Sequence, residues 1–451
     1  MIELKKDFNP SSLPEWIEQL KKELKGDDFN KLLREDELEE IKYPTFSHAE
    51  SNSISVEAPG KFPYTRGTKT KKNDWNNGYL LKVTDEKAAN LKALEILLKG
   101  CDALFFDLLE KNEVNWEILL NGIELHYIQT DFRIRTISQF LSFKKHFQNN
   151  FPTTLKFSID FLQLDQSEQL FNALSDDMRN VQRPFCLIDG YSIQQTGATT
   201  WQEIAFMLST GNEYLVKLIE KGFTIDEAAA CIHFSTGIGS TYFYEIAKIR
   251  ALRKAWSLII KNYNPIHACS YNCAITAIIG FMNKSLKDPH TNLLRQTTEA
   301  MSAIAAGIET IVVLPYDAES INGTSILAER MALNISLILK EESYFDAVID
   351  PLGGSYALED LTEQIGAKSW DLFQKLESLG GISSKKTIHY LRSEINTKSE
   401  IRKNQIANSH KTLIGINRFL NPLPEKNEFL IQDDYLGMSK IIFERDLIPV
   451  K

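Results

Sequence analysis

The 451-residue sequence has few cysteines and no long apolar segment. Its five cysteines are an odd number without a repeated spacing, which indicates reduced thiols rather than a disulfide framework. The start, MIELKKDFNPSSLPEWIEQL, lacks the apolar run of a signal peptide, and no later segment approaches the length of a membrane span. These absences argue against secreted and membrane-spanning classes, and they predict a cytoplasmic protein.

The chain has no large excess of charge of one sign. The 60 acidic and 51 basic residues are mixed along it, with a formal net charge of -9. This balance argues against a nucleic-acid partner or an anionic membrane surface, so proteins and small molecules are the expected partners. The length exceeds one average domain, although a large barrel with extensions accounts for most of it.

A repeat of short apolar runs and amphipathic stretches extends from Tyr79 to Lys340. The apolar runs are YLLKV (79–83), ALFFDLL (103–109), LHYIQ (125–129), LKFSI (155–159), FCLID (185–189), CIHFS (231–235), IHACSY (266–271) and ETIVVL (309–314). Continuous apolar runs are typical of parallel strands that are buried on both faces. Eight such units over roughly 250 residues predict an α/β fold, a closed (β/α)8 TIM barrel. A doubly wound open sheet is the alternative.

Two helices are predicted with particular faces toward the core. In residues 86–98, Ala89, Leu91, Leu94, Leu97 and Leu98 form the apolar side. In residues 241–263 the apolar stripe contains Phe243, Ile246, Ile249, Ala255, Trp256 and Ile259, and Lys248, Arg253 and Lys254 lie off it.

The rest of the chain falls outside the repeat. Residues 1–78 contain at most two charged helices and a stretch rich in Gly, Pro, Ser and Asn, which predicts an extended arm. Residues 79–345 form the predicted barrel. Residues 346–451 are predicted to be a C-terminal helical extension followed by a tail.

Six motifs occur in an order that resembles one known family. They are PYTRG (63–67), DGYSIQQTGAT (189–199), EIAKIRALRKAW (245–256), LLRQTTEAMSA (293–303), DPLGGSY (350–356) and LIGIN (413–417). Together they resemble the acyl-CoA-binding barrel of the methylmalonyl-CoA mutase family. The resemblance implies a TIM barrel, an N-terminal arm that wraps a partner subunit, and adenosylcobalamin chemistry that interconverts succinyl-CoA and (2R)-methylmalonyl-CoA.

The resemblance also implies a cobalt ligand, the histidine of D-x-H-x-x-G in a C-terminal domain. The D-x-H in this sequence is DPHTNL, where Leu293 replaces the glycine. Asp288 and Pro289 suit the N-cap and first turn of a helix, so His290 is interpreted as a helix-start residue. About 35 residues follow LIGIN, whereas a nucleotide-type domain needs on the order of 100. The sequence predicts no cobalamin-binding domain in this chain.

Other family positions are altered. Arg66 matches the family loop T-R-G-P-Y-A-T-M-Y, but Asn73 falls where its final tyrosine stands. The carboxylate-binding R-T-H-S-Q-T-S-G is replaced by CSYNCAITAIIGF, which has no arginine.

Two further elements carry the same kind of change. After the fifth strand, Ser192 replaces a histidine and Gln194 is kept, and at the end of the eighth strand Pro315 replaces the histidine of L-H-T-N-A. Proline supplies neither a side-chain donor nor a backbone N–H. The resemblance therefore implies that this chain has no catalytic, cofactor-binding or metal-binding residue of its own.

Two clusters have a functional and a structural interpretation. Lys69, Lys71 and Lys72 could contact CoA phosphates or form a solvated face. His267, Cys269 and Cys273 could bind a metal, but without an evident fourth ligand they are interpreted as core and barrel-mouth residues.

The resemblance implies the small (beta) subunit of a heterodimeric mutase of propionate metabolism. A large (alpha) subunit would bind adenosylcobalamin and the acyl-CoA. Three alternatives stay open: the partner chain of another mutase, such as one acting on isobutyryl-CoA; a stand-alone lyase or aldolase using Lys69, Lys71 or Lys72; and a non-catalytic scaffold or repair partner.

Overall fold

The computed structural model of the protein describes residues 11–25, 33–44, 46–48, 50, 57–148, 150–164, 167–181, 183–425, 427–430 and 434–446. The strands in these ranges are β1 (Leu33–Asp36), β2 (Ile41–Pro44), β3 (Asn76–Lys82), β4 (Ala103–Asp107), β5 (Gln129–Arg133), β6 (Leu155–Phe157), β7 (Cys186–Asp189), β8 (Ile232–Gly237), β9 (Ile275–Ile279) and β10 (Thr310–Val313). Within the same ranges, no helix has both the length and the apolar character for a membrane span.

The helices occupy the connections of the barrel and the two ends of the chain. They are α1 (Leu13–Glu23), α2 (Glu86–Leu97), α3 (Trp116–Leu119), α4 (Ile137–Phe147), α5 (Ser167–Val181), α6 (Gly190–Gln195), α7 (Thr200–Glu220), α8 (Ile225–Ala230), α9 (Tyr242–Asn262), α10 (Thr291–Ala305), α11 (Ile326–Leu337), α12 (Tyr356–Ser378), α13 (Lys385–Ala407) and α14 (Phe443–Asp446). Local sequence sets several starts: Thr136 with Gln139, and Thr199 with Gln202, form capping boxes at α4 and α7.

The strands β3 to β10 form a parallel barrel, which confirms the predicted (β/α)8 fold. Their order is β6-β5-β4-β3-β10-β9-β8-β7. The two outer strands meet and close the barrel: the Phe157 N–H donates to the Pro184 carbonyl at 2.9 Å, and the Leu187 N–H donates to the Ile159 carbonyl at 3.0 Å. Every residue of β7, β8 and β10 is buried, as expected for parallel strands that are covered on both faces.

Two predicted strands are wrong in position. The seventh barrel strand is Ile275–Ile279, whereas the predicted run at 266–271 contains a 3₁₀ turn. The Asp226 carboxylate accepts from the backbone N–H groups of Ile266 and His267, each at 3.0 Å, and this holds the turn out of the sheet. The third strand is Gln129–Arg133, four residues later than predicted at its start, and the predicted Tyr127 is exposed.

The predicted helix faces were partly wrong. Leu91 and Leu98 of the first predicted helix are 60% and 91% exposed. On α9, Phe243 is exposed whereas Lys248 and Arg253 are buried. Hydrophobic periodicity assumes one solvent-facing side, but α12 packs across α7 and α9, so α9 is covered on two sides.

The arm is attached to the barrel through a buried carboxylate. Glu39 follows β1, and its Oε2 accepts from the Thr200 N–H at 3.0 Å and the Thr200 hydroxyl at 2.7 Å. The Trp201 indole donates to the Glu39 carbonyl at 3.0 Å. These bonds place an acidic side chain at the first turn of α7, where the helix dipole favours a negative charge.

Candidate functional site

A cavity of about 460 Å³ lies inside the C-terminal half of the barrel. Its volume falls in the range of small-molecule sites, roughly 300–1,000 Å³, and active sites of TIM barrels lie at this end. One wall is apolar and includes Leu80, Phe105, Val312 and Leu314. Beside it, charged and hydroxyl side chains from β4 to β8 form a polar wall. The cavity therefore combines an apolar surface with a polar one.

Arg133 is the central group of the polar wall. Its Nη1 lies 3.8 Å from Asp107 Oδ2, and its Nη2 lies 3.9 Å from Asp189 Oδ2. Both separations exceed the length of a hydrogen bond. Although burial alone would lower the pKa of Arg133, the carboxylates of Asp107 and Asp189 hold it above its ordinary value. The guanidinium is thus a fixed cation between two carboxylates.

Asp189 is held by α6, which carries two of the predicted site residues. The Ser192 N–H donates to Asp189 Oδ1 at 3.1 Å, and the Ser192 hydroxyl donates to Oδ2 at 2.7 Å. The Ser235 hydroxyl also donates to Oδ1, at 2.8 Å. Gln194 faces a separate, smaller cavity of about 40 Å³ beside Gly239 and Glu245. Of the two residues, Ser192 alone lines the large cavity.

Pro315 stands in a turn directly after β10. The Ala318 N–H donates to the Pro315 carbonyl at 2.9 Å, and the Gln296 side-chain amide donates to the Leu314 carbonyl at 2.7 Å. Pro315 is buried in this turn, whereas Leu314 lines the cavity. This turn therefore presents the apolar side chain of Leu314 to the cavity and no hydrogen-bond donor from position 315.

Residues 434–446, which we call the strap, lie across the C-terminal end of the barrel. The Ile441 N–H donates to the Gln195 carbonyl at 2.8 Å, and the Phe443 N–H donates to the Met282 carbonyl at 3.0 Å. The Tyr435 hydroxyl donates to Asp160 Oδ2 at 2.7 Å. Lys440 of the strap lines the large cavity. The sequence predicted a tail here, and its covering of the cavity was missed.

Replacing Asp160 with asparagine is expected to stabilise the chain above neutral pH. Burial, and then the charge of Asp189, raise the pKa of Asp160 to about 7. The folded state therefore favours the protonated acid, and the stability that this group contributes is lost as pH rises from about 4 through 7. Asparagine cannot ionise, and its amide can accept from the Leu162 N–H and donate to Tyr435.

Urea unfolding of the wild type and Asp160→Asn at pH 5, 6, 7 and 8 measures this effect. The free energy of unfolding of the variant relative to the wild type should increase with pH, by at most about 1.4 kcal/mol per pH unit. Parallel pH profiles for the two proteins would contradict the assignment to Asp160.

Arg66, Lys69 and Asn73 lie at the opposite end of the barrel. The Asn73 amide donates to the Ile304 carbonyl at 2.8 Å, and Lys69 Nζ donates to the Ile308 carbonyl at 2.6 Å, just before β10 begins. Arg66 Nε donates to Asp350. Burial lowers the pKa of Lys69 to about 8, but this amine is at the N-terminal ends of the strands. The predicted site residues therefore form two separate groups.

A family comparison covers most of the barrel. Residues 150–440 match the family model described as methylmalonyl-CoA mutase, which is more than half of the chain. This chain belongs to the methylmalonyl-CoA mutase family.

Several relatives in this family align with long parts of the chain. The methylmalonyl-CoA mutase small subunit of Porphyromonas gingivalis is 31% identical over 465 residues, covering 92% of this chain and 71% of that protein. The small subunit of Propionibacterium freudenreichii subsp. shermanii is 27% identical, covering 80% of this chain and 59% of that protein. The mitochondrial mutase of Bos taurus is 31% identical, and the match spans 56% of this chain but 34% of that protein.

The family implies adenosylcobalamin, but His290 does not fit a cobalt ligand. It precedes α10, which begins at Thr291, so the predicted start at Asp288 and Pro289 is wrong by about two residues. The turn before the helix uses Asp288 instead, whose Oδ2 accepts from the Thr291 hydroxyl at 2.6 Å. The His290 ring packs edge-on against Tyr316, with centroids 5.9 Å apart. His290 therefore stands immediately before the first turn of α10.

The cluster of His267, Cys269 and Cys273 does not share one strand face, because its first part forms the 3₁₀ turn. Cys269 is exposed and Cys273 is buried. Within the described ranges, no group of three or more His, Cys, Asp or Glu side chains could hold a metal ion.

Proposed function

We propose that this chain is the small subunit of a heterodimeric methylmalonyl-CoA mutase and that it does not catalyse the reaction itself. A separate large subunit binds adenosylcobalamin and the acyl-CoA, and it carries the interconversion of succinyl-CoA and (2R)-methylmalonyl-CoA. One observation carries this proposal: a relative named as a small subunit aligns with 92% of the chain.

The geometry of the barrel mouth supports an inactive role. The strap covers the C-terminal face, where a cofactor would have to meet a substrate held in the barrel. Position 315 provides no hydrogen-bond donor, and Arg133 with its two carboxylates occupies the polar wall. Arg66 and Asn73 are at the other end of the barrel, away from Ser192.

We further propose that the arm, residues 1–78, contacts the large subunit, and that the barrel (79–345) and the extension (346–451) form the supporting body. Helix α1 has no buried residue, although Trp16, Ile17 and Leu20 lie on one side of it and are half-buried. Trp16 stacks on Phe46 of the same chain, with ring centroids 4.6 Å apart, and a partner surface would cover the rest of this side. Obligate interfaces of this kind are large, often above about 2,000 Å². A cytoplasmic, one-to-one heterodimer follows from the same proposal.

Separate and joint purification of the two subunits tests the proposal. We expect no corrinoid absorbance and no isomerisation of succinyl-CoA with this chain alone, and both with the complex. Assay of the complex with isobutyryl-CoA tests the alternative substrate. As a control, Pro315→Ala in this chain should change turnover of the complex by less than about twofold. Turnover by the isolated chain would refute the proposed division of labour.

The lyase alternative gains no support from the position of Lys69. A Schiff-base lysine must reach a carbonyl in the substrate cavity. Lys69 Nζ instead donates to the Ile308 carbonyl at 2.6 Å, at the end of the barrel opposite the cavity.

A further inference from the structure

The polar wall of the large cavity contains an ion pair, Arg133 and Asp107, whose charged groups are too far apart for a direct hydrogen bond. Among the described residues, no hydrogen bond reaches the Arg133 guanidinium, and none reaches Asp107 Oδ2. Asp107 Oδ1 accepts from the Leu109 N–H at 3.1 Å, so this carboxylate is oriented while its second oxygen stays open. The two side chains are mostly buried, and at ion-pair distance each keeps the capacity to hydrogen-bond a ligand placed between or beside them. The cavity therefore offers one cationic and one anionic contact side by side.

The charges that line the cavity balance. Four basic and four acidic side chains line it: Lys82, Arg133, Arg135 and Lys440, and Asp107, Glu110, Asp189 and Glu319. A simple anion would be attracted by Arg133 but repelled by the adjacent carboxylates. A simple cation would be attracted by those carboxylates but repelled by Arg133. A molecule that carries both charges avoids the two conflicts.

The apolar wall begins next to this pair of charges. Phe105 and Asp107 are two residues apart on β4, so their side chains point to the same side of the sheet. Leu80, Val312 and Leu314 continue the apolar surface on β3 and after β10. A ligand bound at Asp107 can thus place an apolar group against Phe105.

We propose that this cavity binds a small zwitterion of the α-amino acid class with an apolar side chain. The ligand carboxylate accepts from the Arg133 guanidinium, whose planar fork suits a carboxylate. The ligand ammonium donates to Asp107 Oδ2, 3.8 Å from Arg133 Nη1, a separation comparable with the spacing of the two charges in an amino acid. The side chain packs on Phe105 and Leu80. This assignment is independent of the proposed mutase role.

Titration calorimetry with three matched probes tests the assignment on the full chain. L-Leucine carries all three features, 4-methylpentanoate lacks the ammonium, and 3-methylbutylamine lacks the carboxylate. We expect L-leucine to bind at least about tenfold more tightly than either of the others, since each loses one charge-assisted contact. Two results would overturn the proposal: equal affinity for L-leucine and 4-methylpentanoate, and no binding of L-leucine at about 10 mM.

Variants locate the site. Arg133→Met and Asp107→Asn should each weaken L-leucine binding by about tenfold or more. Each replaces a charged side chain with an uncharged one of similar shape, so one charged contact with the ligand is lost. Lys145→Met, on the exposed side of α4, is the control and should bind as the wild type does. Unchanged binding in Arg133→Met would place the ligand elsewhere and refute the site. The probe series on the wild type decides the question even if a variant fails to fold.

Discussion

Replacement of Arg250 by methionine should lower the free energy of unfolding by about 3–5 kcal/mol, because it removes the cationic partner of buried Glu359 and one of the two arginine partners of buried Asp350. Arg250 Nη1 donates to both carboxylate oxygens of Asp350, at 2.8 and 2.7 Å, and Nη2 donates to Glu359 at 2.5 Å. The arginine is buried on α9 and joins it to the DPLGGSY turn and to α12. Arg66 from the arm donates to the same Asp350.

Urea unfolding at pH 7, followed by circular dichroism, measures this loss. Lys254→Met is the matched control one turn later on α9, because its partner Glu363 is mostly exposed. A surface pair of that kind contributes at most about 1 kcal/mol. If the two variants lose similar stability, the buried cluster does not hold the arm and the extension on the barrel.

The same region explains one glycine. A Cβ at Gly353 would collide with the Arg66 guanidinium and the Asp350 carboxylate. The turn therefore leaves no room for a side chain where the two arginines converge on Asp350. DPLGGSY therefore serves as a packing turn between the arm and α9.

Replacement of Lys284 by methionine is the second large effect that we expect. Lys284 and Glu299 are both 0% exposed, and Lys284 Nζ lies 2.6 Å from Glu299 Oε2. Burial lowers the pKa of Lys284 and raises the pKa of Glu299, so desolvation opposes both charges. Removing the lysine leaves an unpaired buried carboxylate, which costs about 3–5 kcal/mol.

The loss should depend on pH, because the stranded Glu299 carboxyl can take up a proton. We expect a smaller loss at pH 5 than at pH 8, measured by urea unfolding of Lys284→Met. The double variant Lys284→Met/Glu299→Leu should recover most of the stability, since it buries no charge. Lys99→Met, which breaks a partly exposed pair with Glu95, is the control. A double variant as unstable as the single one would show that packing, not charge, causes the loss.

The barrel could be predicted because most of its strands are continuous apolar runs. The fifth and eighth runs, FCLID and ETIVVL, contain strands β7 and β10. The third and seventh were misplaced for local reasons. The side chain of Asp226 holds the 266–271 segment as a turn. Asp226 is 40 residues before Ile266 in the sequence, so this hydrogen bond leaves no periodic pattern in the segment itself.

Some residues of the cavity could be predicted from the sequence, and others could not. Asp107 lies within the run ALFFDLL and Asp189 ends FCLID, and each is the last residue of its strand. A charged residue at the C-terminal end of a barrel strand is a signal for a site. Arg133 was missed because the third strand was placed four residues too early, which put this arginine beyond its end. The strap was missed because Ile441 and Phe443 form a short apolar group without a repeat.

The sequence alone determined the resemblance to the family and the (β/α)8 barrel, and it places proline, which has no N–H donor, at position 315. These depend on residue identity and on short-range periodicity, which are present in the linear chain. Only the tertiary structure decided that Arg133 lies between Asp107 and Asp189, that the strap covers the barrel mouth, and that Arg66 and Arg250 share Asp350. These contacts join residues far apart in sequence, and their energies depend on burial, which arises only when the layers of the fold pack together.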